Sequence, residues 1–524
     1  MNSSTPRMPP PPRRRWLQRI AGLTTLWAGL GWTRPAPAAV PVGPSDAHLR
    51  GHVGPVFATP VMPIHSQLLP DGRVMAFGTD DRGRQGAALQ YMVWDPALGT
   101  GAEAMSLLLH TTGTDIFCAG QALTPQGQLL MFGGDRIYAG LRNYANREVT
   151  QFDPQTRSFS TLSPSMHRQR WYATALSGAQ GHIVVLGGRD DREYAGDPEF
   201  PATAATYAET PEVREEDGRW RLLTGAGRTA AFVKSGGWYY PRAFLLAGGD
   251  LLIVTPAGAL FRLDTEGLGH LATLSGSLPP GSSLLPSAAW APGRVLSLRA
   301  DGSAWTVDAR RSTPTIAATT SPGGLRTYGH LTTLPNGQLW LNGGSTRGNT
   351  LEGAHLEGAL WTPATGQWQA TAAARHARLY HASSLLLPDG SVLTGGGGAP
   401  GPQTLLNAEI WYPPYLFRRD GSGRPARRPV LRSVPAVLQR GQTGVGLVLG
   451  DDTVIAQVVL MRLGGSTHNF NASQHRVPLG FRQQGVTLQV DLPSAAGVLP
   501  PGHYSLFVLD KHDVPSLAPT VRVL

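Results

Sequence analysis

Leu387-Pro-Asp-Gly-Ser-Val-Leu-Thr-Gly-Gly-Gly397 reads as a tight turn, a short apolar strand and a glycine run. Proline presets one turn dihedral, glycine supplies the left-handed one, and the β-type residues that follow have strand length. The pattern recurs in Leu69-Pro-Asp-Gly-Arg-Val-Met-Ala-Phe-Gly78, Thr124-Pro-Gln-Gly-Gln-Leu-Leu-Met-Phe-Gly-Gly134 and Gly181-His-Ile-Val-Val-Leu-Gly-Gly188. It returns in Gly248-Gly-Asp-Leu-Leu-Ile-Val254, Pro292-Gly-Arg-Val-Leu-Ser-Leu298 and Leu334-Pro-Asn-Gly-Gln-Leu-Trp-Leu-Asn-Gly-Gly344. Seven copies at intervals of about 44 to 68 residues have the spacing of kelch-type blades. Several are followed by a second strand ending in an aromatic or Asp, as in Val93-Trp94-Asp95-Pro96 and Leu360-Trp361-Thr362-Pro363. A four-stranded unit of this kind cannot bury both faces alone, so seven are expected to pack radially as a β-propeller.

After about Tyr415 the pattern changes. A Gly/Pro/Arg-rich linker over 418–428 precedes alternating stretches such as Ile455-Ala-Gln-Val-Val-Leu-Met461 and Tyr504-Ser-Leu-Phe-Val-Leu509. These predict an immunoglobulin-like sandwich over 428–524. The expected class is all-β: a seven-bladed propeller over 55–417 followed by that sandwich. Of the 524 residues, 41% are apolar and 15% charged, which excludes a disordered chain. The net charge of +10 comes partly from Arg13-Arg14-Arg15 and otherwise from scattered arginines. No basic helix or RNA-binding aromatic signature accompanies it, so no nucleic-acid partner is expected.

Residues 1–39 are expected to be an export signal, with a tri-arginine start, a short apolar run over 20–32 and a small-residue site at Ala36-Pro37-Ala38. Arg13-Arg14-Arg15-Trp16-Leu17-Gln18 loosely resembles a bacterial twin-arginine signal, and residues 40–54 read as a linker. The apolar run is short for a membrane span. An exported monomer without a stable membrane span follows if the signal is cleaved. The single cysteine, Cys118, allows no internal disulfide.

Four segments carry residues suited to chemistry: Ile116-Phe-Cys-Ala-Gly120, Arg170-Trp-Tyr-Ala-Thr174, Arg378-Leu-Tyr-His-Ala-Ser-Ser384 and Ser466-Thr-His-Asn-Phe-Asn471. The first three stand at comparable places before a repeat strand, and equivalent blade positions converge on a propeller axis. Cys118, Tyr172, Tyr380 and His381 are therefore expected near one another. Two phenol oxygens and two imidazoles form a set that suits Cu(II), whereas zinc draws more on His with carboxylate or thiolate. Spacing alone leaves open an inert buried thiol and hydrogen-bonded core histidines.

Together the four segments resemble the galactose oxidase/glyoxal oxidase family of copper-radical oxidases, from about residue 55 to the end. The resemblance implies one copper ion with Tyr172, Tyr380, His381 and His468 as ligands, and a Cys118–Tyr172 thioether forming a radical cofactor. It implies Tyr172, Cys118 and Tyr380 as the catalytic residues. The implied reaction oxidises a primary alcohol, or an aldehyde as its hydrate, with O2 to aldehyde or acid plus H2O2. Galactose oxidase carries a stacking tryptophan after its radical tyrosine, where Gly187-Gly-Arg-Asp-Asp191 has none. Trp238, in Gly236-Gly-Trp-Tyr-Tyr-Pro-Arg242, is a candidate aromatic cover or a blade-edge packing residue. Few residues precede the first blade to hold the sugar-binding module of galactose oxidase. These departures favour a bacterial glyoxal-oxidase-like member acting on a small alcohol or aldehyde, with a glycan also possible as substrate. A non-catalytic kelch propeller that binds glycan or protein is the competing class. A hydrolase would need a carboxylate pair that is not evident, and the nearest acid, Asp115, has no assigned role.

Overall fold

A computed structural model describes residues 39–86, 90–138, 141–189 and 207–524. The expected export signal lies outside the described residues apart from Ala39, as do Asp190 and Asp191. No helix among the described residues is long and apolar enough to cross a membrane.

The first strands of the seven blades are His65–Leu68, Gly120–Leu123, Thr174–Ser177, Arg242–Leu245, Ser287–Ala291, His330–Thr333 and Ala382–Leu386. They pack on one another around the axis. Convergence there leaves room mainly for small side chains, and their buried hydroxyls bond between blades. Ser66 Oγ lies 2.8 Å from Ser383 Oγ, and Thr332 Oγ1 lies 2.8 Å from Ser384 Oγ. Each repeat motif forms the second strand, antiparallel to the first, with two outer strands beyond in blades one to six. Apolar side chains fill the seams, as where Trp340 and Trp411 stack at 4.1 Å between blades six and seven.

Blade seven is completed differently. His52–Val53 and Phe57–Ala58 both pair with Asn407–Tyr412, so the start of the propeller closes its last blade. The stretch 40–54, expected as a linker, holds the helical turn Ala47–Arg50 and one of these closing strands.

The C-terminal sandwich has its own core, including Leu447, Leu460, Leu488 and Leu506. Arg476–Gln484 belongs to both of its layers, pairing first with Ile455–Arg462 and then with Thr487–Asp491. Between Ile455–Arg462 and Arg476–Gln484 the chain leaves the sandwich as a hairpin, Gly465–Thr467 and Phe470–Asn471. That hairpin pairs antiparallel with His65–Leu68, with Thr467 opposite His65. The sandwich thus lends two strands to the first blade and drives a hairpin into the propeller axis.

Candidate metal centre

The glycine pairs that mark the repeat position the site. Gly134 N–H donates to the Arg170 carbonyl at 3.0 Å, and Gly344 N–H donates to that of Arg378 at 2.7 Å. A Cβ on Gly133 would collide with the Arg170 carbonyl, and one on Gly343 with the Arg378 carbonyl. The pair closing one blade's second strand therefore lets the next blade's site segment lie flush against it.

Both arginines are buried and anchor their segments again from within. Arg170 donates to the Gly187 carbonyl at 2.6 Å and pairs with Glu212 at 2.9 Å. Arg378 donates to the Gly396 carbonyl at 3.0 Å and pairs with Glu409 at 2.8 Å. Arg326 repeats the device toward Gly343 in blade six.

Cys118, Tyr172, Tyr240, Tyr328 and His381 have φ of 59°, 67°, 40°, 66° and 66°. Each stands two residues before an equivalent pairing in the first strand: Gly120–Phe132, Thr174–Leu186, Arg242–Val254, His330–Asn342 and Ser383–Gly395. Left-handed backbone is costly for such residues, on the order of 1 kcal/mol each, yet five blades adopt it at one register position. Tyr172 follows Arg170 by two residues and Tyr328 follows Arg326 by two, but His381 follows Arg378 by three. This extra residue lets blade seven present two functional side chains, Tyr380 and His381, where its neighbours present one.

His468 arrives from the other domain. Thr467 pairs with Phe470, leaving His468 and Asn469 as a two-residue turn with φ of 45° and 59°. That is the both-positive geometry of a tight hairpin turn, usually occupied by Asn or Gly. Asn469 N–H donates to His330 Nε2 at 3.1 Å, fixing the tip against blade six.

The candidate residues meet in one cluster. Tyr172 and Tyr380 hydroxyls are 2.6 Å apart. Cys118 Sγ lies 3.6 Å from His468 Nε2, and the ligand atoms of Cys118, His381 and His468 are within 4.8 Å of one another. All are buried except Tyr380, which is partly exposed.

Burial sets the protonation states. It pushes His381 down to about 3 and His468 well below the usual imidazole value, so both rings are neutral. It pushes the Tyr172 and Tyr380 phenols up, and the Cys118 thiol up against an opposing hydrogen bond from Tyr172.

The donors fit a copper ion. His468 Nδ1 is held by Thr467 Oγ1 at 2.6 Å, which leaves Nε2 toward the cluster. A hydrogen bond to the Ala399 backbone and the Gln85 side-chain amide at 3.3 Å from Nδ1 orient His381. Its Nε2 is buried without a hydrogen-bond partner among the described residues. A buried orphan imidazole nitrogen beside a second imidazole and two phenols is a donor set in want of an acceptor, and imidazole nitrogens with oxygens that can ionise to phenolate suit Cu(II).

Several neighbours carry no weight in the sequence reading. Tyr240 stacks on His468 at 4.8 Å, Tyr239 lies 4.7 Å from Tyr172, and Tyr328 lies 5.0 Å from Tyr380. Aligning Arg326-Thr-Tyr328 with Arg170-Trp-Tyr172 would have exposed Tyr328. The candidate cover, Trp238, is 6.0 Å from Tyr172 and tilted 45°. Trp171 is nearer, at 4.1 Å and 32°. Asp115 accepts the Phe117 N–H at 3.0 Å and pairs with Arg142 at 2.8 Å, so it braces the loop carrying Cys118.

Residues 428–523 match the galactose oxidase-like, early set domain family. The chain is 26% identical over 510 residues to galactose oxidase of Gibberella zeae, spanning 90% of this chain and 70% of that one. It is 24% identical over 454 residues to an aldehyde oxidase, GLOX, of Vitis pseudoreticulata, spanning 78% and 82% respectively. The fold is that of a fungal alcohol oxidase of the AA5 family solved in complex with copper. That structure superposes with a TM-score of 0.78 at 22% identity, covering 90% of this chain and 99% of the other.

Proposed function

From its homology to galactose oxidase and the glyoxal oxidases, we propose that this chain is an exported copper-radical oxidase with Tyr172, Tyr380, His381 and His468 as ligands. It oxidises a primary alcohol, or an aldehyde as its hydrate, while O2 becomes H2O2. The observation that carries the reading is the meeting of two phenols, two neutral imidazoles and the lone thiol at one buried point, drawn from three blades and the C-terminal hairpin.

Copper, when bound, supplies Lewis acidity and one of the two oxidising equivalents. Cys118 and Tyr172 form the second redox group, joined as a thioether that extends the phenol π-system onto sulfur and eases its oxidation. Tyr380, the one candidate ligand with solvent exposure, would be held as phenolate by a bound metal ion, and in that form it takes the substrate hydroxyl proton. Oxidised Tyr172, within hydrogen-bond distance of Tyr380, takes a hydrogen atom from the adjacent substrate carbon. The substrate thus loses two hydrogens and two electrons, which O2 receives as H2O2. The rigid ring of blades holds these groups in place before substrate arrives.

The test compares the intact mass of protein purified without metal before and after incubation with copper and O2. The expected change is a loss of about two mass units with Cys118 becoming inert to alkylation, accompanied by H2O2 production from small alcohols or aldehydes. Verified copper binding with unchanged mass, an alkylatable Cys118 and no H2O2 would refute this reading in favour of a binding propeller.

A further inference from the structure

Arg142 stands outside the candidate ligand set, yet its guanidinium joins the segments that hold Cys118 and His381. It comes from the hairpin Asp135–Tyr138 and Leu141–Ala145, which follows the Gly133-Gly134 pair of blade two. The hairpin shifts register between Leu141 and Tyr144, and Asn143 has φ of 74°. Bulges of this kind re-aim a side chain, and this one carries Arg142.

All three guanidinium nitrogens have acceptors. Nε and Nη2 donate to Asp135 Oδ2 at 3.0 and 2.9 Å, and Nη2 donates again to Asp115 Oδ2 at 2.8 Å. Nη1 donates to the Gln85 carbonyl. A Cβ on Gly86 would collide with the guanidinium, so the chain beside Gln85 is shaped to admit it. Asp135 is buried and accepts the Arg136 and Asn143 N–H groups at 2.8 and 2.6 Å, which anchors the hairpin.

The other two acceptors lead to the site. Asp115 accepts the Phe117 N–H at 3.0 Å, one residue before Cys118. Gln85, between the second and third strands of blade one, has its side-chain amide 3.3 Å from His381 Nδ1. Phe117 touches both routes: the Arg142 guanidinium lies 5.6 Å from its ring centroid, and the ring meets His381 edge-on at 5.6 Å. A planar fork of donors can hold acceptors in three directions, which a single ammonium cannot.

We propose that Arg142 is a positioning residue that sets two parts of the site through one guanidinium, Cys118 by way of Asp115 and His381 by way of Gln85. The inference rests on the proposed copper site.

The experiment uses the full-length chain as wild type, R142Q, R142K, D115N, Q85A and the double variant R142Q/D115N, each with its urea midpoint measured. Alkylation of Cys118 by iodoacetamide in metal-free protein reads the thiol side. Copper affinity by chelator competition reads the imidazole side. R142Q is expected to speed alkylation and weaken copper binding, each about tenfold. D115N keeps an oxygen for the Phe117 N–H and removes only the charge facing Arg142. It is expected to speed alkylation alone, and Q85A to weaken copper binding alone, a split that general destabilisation does not produce. R142K keeps the charge without the fork and is expected to follow R142Q in both readouts. The double variant is expected to be alkylated at the R142Q rate, because the Asp115 charge acts through the guanidinium. Either readout unmoved in R142Q overturns the inference, as does wild-type behaviour of R142K. So do D115N and Q85A effects that follow the urea midpoints instead of splitting. Wild type that binds copper but forms no thioether overturns the oxidase reading alone, whereas wild type that binds no copper overturns both.

Discussion

Replacing Cys118 with serine is expected to abolish a stability gain that outlasts copper removal. A Cys118–Tyr172 thioether closes a loop of about 55 residues, and chain-entropy bookkeeping for such a cross-link gives about 4 kcal/mol. Little of this is lost to strain in the folded state. Cys118 and Tyr172 already share one buried cluster, and the Tyr172 N–H donates to the Cys118 carbonyl at 3.0 Å. For a chain of this size the gain corresponds to a rise in Tm of about 4 °C. The assay is scanning calorimetry on protein loaded with copper in air and then stripped with chelator, against protein never exposed to copper, with intact mass verifying the cross-link. Wild type is expected to retain the gain after stripping, and Cys118→Ser to melt identically before loading and after stripping. An equal gain in Cys118→Ser, or a verified cross-link that leaves the wild-type Tm unmoved, would refute the reasoning.

Thr467→Val removes the oxygen held 2.6 Å from His468 Nδ1. Copper affinity measured by chelator competition is expected to fall about 10- to 100-fold with little change in Tm. Glu409→Ala leaves the buried Arg378 guanidinium without its carboxylate. A loss of about 3–5 kcal/mol is expected, read by urea denaturation, with weaker copper binding because Arg378 holds the Tyr380–His381 segment. His475, which is outside the candidate ligand set, is pushed down to about 4 by burial, against an opposing hydrogen bond to the Val498 carbonyl. As pH falls below 6.5 the unfolded chain takes this proton first, so stability declines until about pH 4, by about 2 kcal/mol at pH 5. His475→Gln is expected to reduce the difference between urea midpoints at pH 7 and pH 5.

The blades were legible because their signal is local. A turn, an apolar strand and a glycine pair recur in chain order, and each is a short-range preference of the backbone. The sandwich was legible for the same reason, in its alternating strands. The four chemistry-bearing segments could be picked out by residue type and by their place before a repeat strand. Ring closure, however, joins residues 52–58 to 407–412, and nothing local distinguishes those short strands from a linker. The entry of His468 into the axis depends on Gly465–Thr467 pairing with His65–Leu68, a contact about 400 residues apart in the chain. The shared left-handed position of Cys118, Tyr172, Tyr240, Tyr328 and His381, and the extra residue that lets blade seven present both Tyr380 and His381, appear only when strand register is known. The same holds for the approach of Trp171 to Tyr172 in place of Trp238. By itself the sequence determined the units and the donor chemistry, because these follow from short-range backbone preference and side-chain type. Tertiary structure alone decided which donors meet, because seven wedges closing around an axis bring together residues that no local spacing relates.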